Sequence, residues 1–195
     1  SSHRVIKQCA IDKRGQDSVS KNGLACKTYE RDERGFTQRV LFTGISSKAM
    51  IVQNSGFSSA QLTRDTYGNV VEWGYFDPDG KRFNNPKDGD CARSTATYDE
   101  RGNWIESTCL GPNNEPLASD EGWHRRVSEH DQHGRTMVVR FEDVNGKPTH
   151  HEDRYARVEY AYQGLSPNSH EARFLDSRGR LTLRRGGYAV RREEH

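Results

Sequence analysis

Five arginines, Arg93, Arg125, Arg140, Arg157 and Arg173, fall into register once the chain is divided into hairpins, and they are the strongest candidates for a binding function. A guanidinium is a planar fork matched to carboxylate or phosphate. A row of them at strand spacing is therefore suited to gripping an acidic protein surface or an anionic polymer. The competing reading is an ion-pair ladder with Glu106, Glu159 and Glu171 that keeps an exposed sheet soluble. His124, His130, His133, His150 and His151 raise the question of a metal. Zinc sites use converging ligands such as His-x-x-x-His or Cys-x-x-Cys, and neither spacing occurs. His124 and His130 share strand parity, His133 falls in a turn, and His130 occupies the place held by Tyr98 and Tyr162 elsewhere, so these rings read as repeat positions.

The aspartates Asp32, Asp65, Asp99 and Asp131, with Asp77, Asp143 and Asp176, all open turns. Calcium loops need several oxygen ligands within a few residues, and the nearest match, Asp77-Pro78-Asp79-Gly80, supplies two acids. Turn capping explains the rest. Glu72, Glu106 and Glu171 are of the type used in glycoside cleavage, but they recur once per unit whereas an active site is unique. No Gly-x-Ser-x-Gly elbow is present. The chain is read as non-enzymatic, with no metal and no other cofactor.

The elements that must hold these residues are hairpins. In Tyr98-Asp99-Glu100-Arg101-Gly102-Asn103, Gly and Asn tolerate positive φ and Asp bonds the neighbouring backbone, which marks a tight β-turn. The same signal recurs at 32–35, 65–68 and 131–134, and a longer variant occupies 163–168. A second turn per unit follows an apolar pair, as in Tyr75-Phe76-Asp77-Pro78-Asp79-Gly80 and Phe141-Glu142-Asp143-Val144-Asn145-Gly146. Glycines open units at Gly23, Gly56, Gly89, Gly122 and Gly187, with Arg154 in the intervening place, a period of about 33 residues.

We therefore expect one repeat domain over 1–195: a partial unit 1–22, units starting near 23, 56, 89, 122 and 154, and a partial unit 187–195. The fold class is all-β, an antiparallel meander of about five tandem hairpin repeats with ten to twelve short strands and helix scarce or absent. A single hairpin cannot bury its apolar face, so neighbours must supply the core.

Aligned units expose two columns. The first holds Leu24, Phe57, Cys91, Trp123, Tyr155 and Tyr188; the second, five residues before the second turn's glycine, holds Tyr75, Cys109, Phe141 and Phe174. Phe57 is expected to face Tyr75, Trp123 to face Phe141, and Tyr155 to face Phe174. Cys91 and Cys109 occupy the same two columns, so a disulfide replaces an aromatic pair there. Cys9 and Cys26 sit at the places of Arg140 with Arg157, and a Cys9–Cys26 bridge pins the first half-unit. Four cysteines allow three connectivities, and this one keeps both bridges local. Paired bridges imply an oxidising compartment such as a periplasm.

Composition bounds the remaining choices. The 31% hydrophobic content and mean hydropathy of -1.04 lean toward a thin core, while 18 aromatic residues and only 6 prolines argue against disorder. Thirty basic against 28 acidic residues leave a net charge of +2, so no global field pulls the chain to nucleic acid or membrane. No apolar run is long enough to cross a bilayer as a helix, and Ser1-Ser2-His3-Arg4 does not open a secretion signal. A targeting peptide is thus expected to be missing from this numbering.

The motif Tyr-Asp-x-x-Gly-Asn, complete at Tyr98-Asp99-x-x-Gly102-Asn103 and partial at Asp65-x-x-Gly68-Asn69 and His130-Asp131-x-x-Gly134, resembles the tyrosine-aspartate repeats of RHS-type bacterial proteins. Trp73-Gly74-Tyr75-Phe76-Asp77-Pro78-Asp79-Gly80-Lys81 is similar to the Trp-Gly β-repeats of bacterial surface arrays. The resemblance implies a bacterial extracytoplasmic repeat protein. The expected function is binding of a protein partner, in its most specific form an immunity-type inhibitor of a secreted toxin. Two alternatives stand beside it: an envelope-polysaccharide module with Trp73, Trp104 and Trp123 as stacking platforms, and a segment cut from a longer structural array.

Overall fold

A computed structural model describes residues 4–21, 23–164 and 170–193, the side chain of His170 excepted. The described residues contain no helix. The chain forms twelve strands: β1 (Arg4–Cys9), β2 (Cys26–Arg31), β3 (Thr37–Thr43), β4 (Ser59–Arg64), β5 (Val70–Phe76), β6 (Arg93–Tyr98), β7 (Trp104–Leu110), β8 (Arg125–His130), β9 (Thr136–Glu142), β10 (Arg157–Tyr162), β11 (His170–Leu175) and β12 (Val190–Glu193). They lie in one sheet in chain order, the antiparallel meander expected from the turn signals. Contacts group into two compact units, Ser1–Ser94 with Gly111–Glu115, and Thr95–Leu110 with Pro116–His195.

The turns form as Asp-x-x-Gly dictates. Asp99 Oδ1 accepts the N–H groups of Arg101 at 2.9 Å and Asn103 at 2.8 Å, and Asp99 O accepts that of Gly102 at 3.0 Å. Asp65, Asp77, Asp131, Asp143 and Asp176 repeat the pattern. The carboxylates are thus turn caps, and the side chain of Asn103 holds the Asp99 carboxyl below its ordinary value, backbone N–H groups adding to the effect. A one-residue register shift adjoins three first turns, between Glu30 and Arg31, Thr63 and Arg64, and Glu129 and His130, while β10 and β11 pair without one. The variant turn expected at 163–168 falls largely outside the described residues.

Left-handed backbone recurs with the sequence spacing. Gly15, Gly80, Gly146 and Gly179 have positive φ in the second turns, and where the glycine is replaced Ser47 (φ 57) and Asn114 (φ 66) hold the same conformation. Arg154 (φ 75) does so between Gly122 and Gly187. The turn at 111–115 departs in a compensated way. Like the turn at Gly44 it has a glycine, Gly111, where the remaining second turns have Asp, and Glu115 reaches back so that its Oε2 accepts the Asn113 N–H at 2.8 Å. A Cβ on Gly111 would lie 2.1 Å from the Glu115 carboxylate, which takes the space an Asp side chain would fill.

The core lies on one face of the sheet, where each second-turn loop folds back. In the second unit Val139, Phe141, Val158, Ala172 and Phe174 are buried, with Trp123, Tyr155, Tyr160 and Tyr188 packed against them. The three expected ring pairs are present: Phe57 to Tyr75 at 5.0 Å, Trp123 to Phe141 at 6.1 Å and Tyr155 to Phe174 at 5.0 Å. Rings also meet between successive hairpins, Phe42 to Phe57, Phe141 to Tyr155 and Phe174 to Tyr188. Phe42 was not in the expected columns, because Thr43-Gly44-Ile45-Ser46-Ser47 disguises its turn. Counting back from Ser47 would have placed it.

Cys9 and Cys26 are direct partners across β1 and β2 and form a disulfide. Cys91 and Cys109 are disulfide-bonded as well, and no cysteine among the described residues is free.

Candidate binding face

Antiparallel Cα partners share a face, so the register assigns every strand residue to one side. Phe141 opposes Arg126, and Phe174 opposes Val158, on the core face. Arg125 opposes Glu142, and Arg157 opposes both Arg140 and Leu175, on the other. Arg125, Arg140, Arg157 and Arg173 therefore point away from the core. By simple alternation Tyr155 would share the face of Arg157. It does not, because β10 begins at Arg157 and Tyr155 belongs to the loop that bends back over Phe141 and Phe174.

The stripe is not a row of free cations. Arg93 Nη2 contacts Glu72 at 2.5 Å, and Arg125 contacts Glu106 at 2.5 Å and Glu142 at 2.8 Å. Arg140 is held by Glu129 at 2.8 Å, Arg157 by Glu159 at 2.8 Å, and Arg173 by Glu171 at 2.8 Å. Glu171 also takes Arg192 at 2.7 Å. The expected partners Glu106, Glu159 and Glu171 are all used, and Glu72, which recurs with them, also pairs with a basic neighbour, while Glu129 and Glu142 were missed as partners. Glu142 was legible, since it stands directly opposite Arg125 in the register that places Phe141. Hydrogen bonding to Glu106 raises the Arg125 guanidinium above its ordinary value, with Glu142 adding to it. The five arginine side chains are 23% to 58% exposed, so solvent screening leaves each pair contributing little to stability. The face is a fixed alternation of both signs that a partner can unpick cheaply.

The other candidates resolve differently. Arg93 holds the Glu72 carboxyl below the usual carboxylate range, and Arg173 with Arg192 does the same to Glu171. A glycosidase acid needs the opposite shift. His124 Nδ1 lies 2.7 Å from the Cys109 carbonyl, and the His151 ring stacks on Tyr155 at 5.3 Å, so these histidines serve local packing. Among the described residues no three or more His, Cys, Asp or Glu converge as metal ligands.

Trp73 Nε1 donates to Asp88 at 2.9 Å, and Tyr75 OH donates to the same carboxylate oxygen at 2.5 Å. Trp123 Nε1 donates to Glu121 at 2.8 Å while its ring packs on Phe141. Trp104 is 39% exposed, and the Arg126 guanidinium lies 4.9 Å from its ring centre. One of the three expected stacking platforms is thus exposed.

A feature the sequence reading missed runs along the first turns. Arg34 donates to the carbonyls of Thr66 and Asp65 in the next turn, and Arg101 donates to that of Gln132 at 2.8 Å. Both arginines stand just before the turn glycine, so the clasp was encoded at a repeat position.

No known protein family and no curated protein matches this chain. Among the described residues no helix is long and apolar enough to cross a membrane.

Proposed function

We propose that this chain is a non-enzymatic, extracytoplasmic scaffold that binds a protein partner through the charged face of its sheet. The observation that carries the reading is the Arg–Glu ladder. Guanidinium and carboxylate groups are held on adjacent strands in defined order, which discriminates partners by complementary charge order more than by net attraction. The disulfides support an oxidising compartment. With the resemblance to tyrosine-aspartate repeats, they favour a bacterial envelope setting and, as the most specific form, inhibition of a secreted toxin. The polysaccharide reading is weaker, because the N–H groups of Trp73 and Trp123 are engaged within the fold.

Replacing Arg125 and Arg157 by Glu sets carboxylates against Glu106, Glu142 and Glu159. Partner binding measured by calorimetry is expected to fall at least 100-fold, on the order of the cost of placing like charges together at an interface. Unchanged affinity would remove the ladder as the binding face.

A further inference from the structure

Arg126 differs from its neighbour Arg125 in every respect that matters for binding. It lies on the core face, opposite Phe141 and Ser107, where the matching register positions in other hairpins hold Ala60 opposite Tyr75 and Val158 opposite Phe174. The first full hairpin places Lys27 there, opposite Phe42, with its ammonium over the Tyr29 and Phe42 rings. At Arg126 a partly buried guanidinium packs on the Trp104 ring. Among the described residues it has no carboxylate within ion-pair distance, while Arg93, Arg125, Arg140, Arg157 and Arg173 each have one. Burial pulls its pKa below the ordinary arginine value, with Tyr160, Tyr155 and Glu121 opposing that pull from nearby.

The surroundings are unsatisfied in the same sense. Ser107, its cross-strand partner, and Ser128, two residues along the same face, are each 3% exposed. Neither hydroxyl has a hydrogen-bond partner among the described residues. A guanidinium carbon lying over an indole ring engages the face of its planar fork, and the N–H groups at the fork's edge are the ones suited to bidentate capture of a carboxylate. Such a cation is a stability cost unless something pairs with it.

We propose that Arg126, backed by Trp104, is the anchor of a binding site for a small organic carboxylate whose body packs against the Trp104 and Tyr160 rings. The site is separate from the charged face, since Arg125 and Arg126 project to opposite sides of β8. An acid group completes the Arg126 fork, and a ring or short carbon body supplies the apolar contact.

Glucuronate is the probe, with glucose as the neutral control. The readouts are tryptophan fluorescence and the Trp104 indole N–H resonance, titrated on the whole chain. The expected result is saturable binding of glucuronate, no response to glucose, and at least tenfold weaker glucuronate binding in Arg126→Gln. Arg126→Gln is also expected to keep or raise the thermal midpoint, because it removes an uncompensated charge; an arginine retained for structure would lower it. A wild-type chain silent to glucuronate up to about 50 mM, well past the range of one charge-assisted contact, would overturn the site. So would equal affinity in Arg126→Gln.

Discussion

The two units solve the same packing problem with different means. In the second, five rings follow one another without a break, Trp123, Phe141, Tyr155, Phe174 and Tyr188, each about 5 to 6 Å from the next. In the first, the run is Phe42, Phe57 and Tyr75, and polar bonds take over beyond it. Asp88 receives Trp73 and Tyr75, and Asn85, 1% exposed, accepts the Lys87 N–H at 3.0 Å and reaches the Ser55 carbonyl at 3.3 Å. A Cβ on Gly56 would lie 2.2 Å from Asn85 Oδ1, so the glycine is fixed by this close approach. Where the aromatic column is intact it suffices as a core. Where Cys91 takes the place of a ring, a loop locked by hydrogen bonds supports the sheet.

That contrast can be broken at its strongest point first. Phe141→Ala removes the ring that touches Trp123, His151 and Tyr155, and chemical denaturation should show a loss of about 3–5 kcal/mol. In the first unit the sensitive residue is instead polar. Asp88→Ala strands the Trp73 N–H and Tyr75 O–H and should cost about 1–3 kcal/mol. It should also bring the Tyr75 phenol, now raised by burial and by Asp88, back toward its ordinary value in a spectrophotometric titration. If Asp88→Ala left both stability and titration unchanged, the polar lock would be incidental.

Smaller effects sharpen the repeat itself. Arg154 is an exposed non-glycine residue at φ 75, a conformation costing about 1–2 kcal/mol for an L-residue. Arg154→Gly should therefore raise stability by up to about 1 kcal/mol after the entropy cost of glycine, read as a rise in thermal midpoint. Acid tests the turns of the second unit. Backbone N–H bonds, led by that of Arg180, hold Asp176 at about 2, below its ordinary 3.8, and those led by Lys147 lower Asp143. A depressed folded pKa gives stability that is complete above the unfolded value and is lost as pH falls through the folded one. Denaturation midpoints should hold down to about pH 4 and decline toward pH 2.

The turns, strand order and three ring pairs were legible because each rests on a local rule repeated along the chain: Asp-x-x-Gly, a left-handed third place, and two apolar columns. The disulfide register was legible for the same reason, since Cys9 and Cys26 occupy the places of Arg140 and Arg157. What the pattern hid were compensations between residues. The Asn113 N–H, which an Asp side chain caps in most second turns, is taken by Glu115 in the turn that begins with Gly111. Strand alternation alone would set Tyr155 on the face of Arg157, but Tyr155 reaches the core by leaving the strand. The pairing of Arg140 with Glu129 depends on side-chain reach across β8 and β9, which a column of letters does not carry. Arg126 was passed over because its neighbour Arg125 fitted a column.

The central claim is that the ladder face, with its fixed order of charges, is where a protein partner docks. Affinity capture from the native host with the wild-type chain and with the Arg125→Glu, Arg157→Glu double variant as parallel baits tests it most directly. We expect one partner, identified by mass spectrometry, to be retained by the wild type and absent from the variant, both baits showing the same β circular dichroism. Equal retention of that partner by the folded variant would contradict the account.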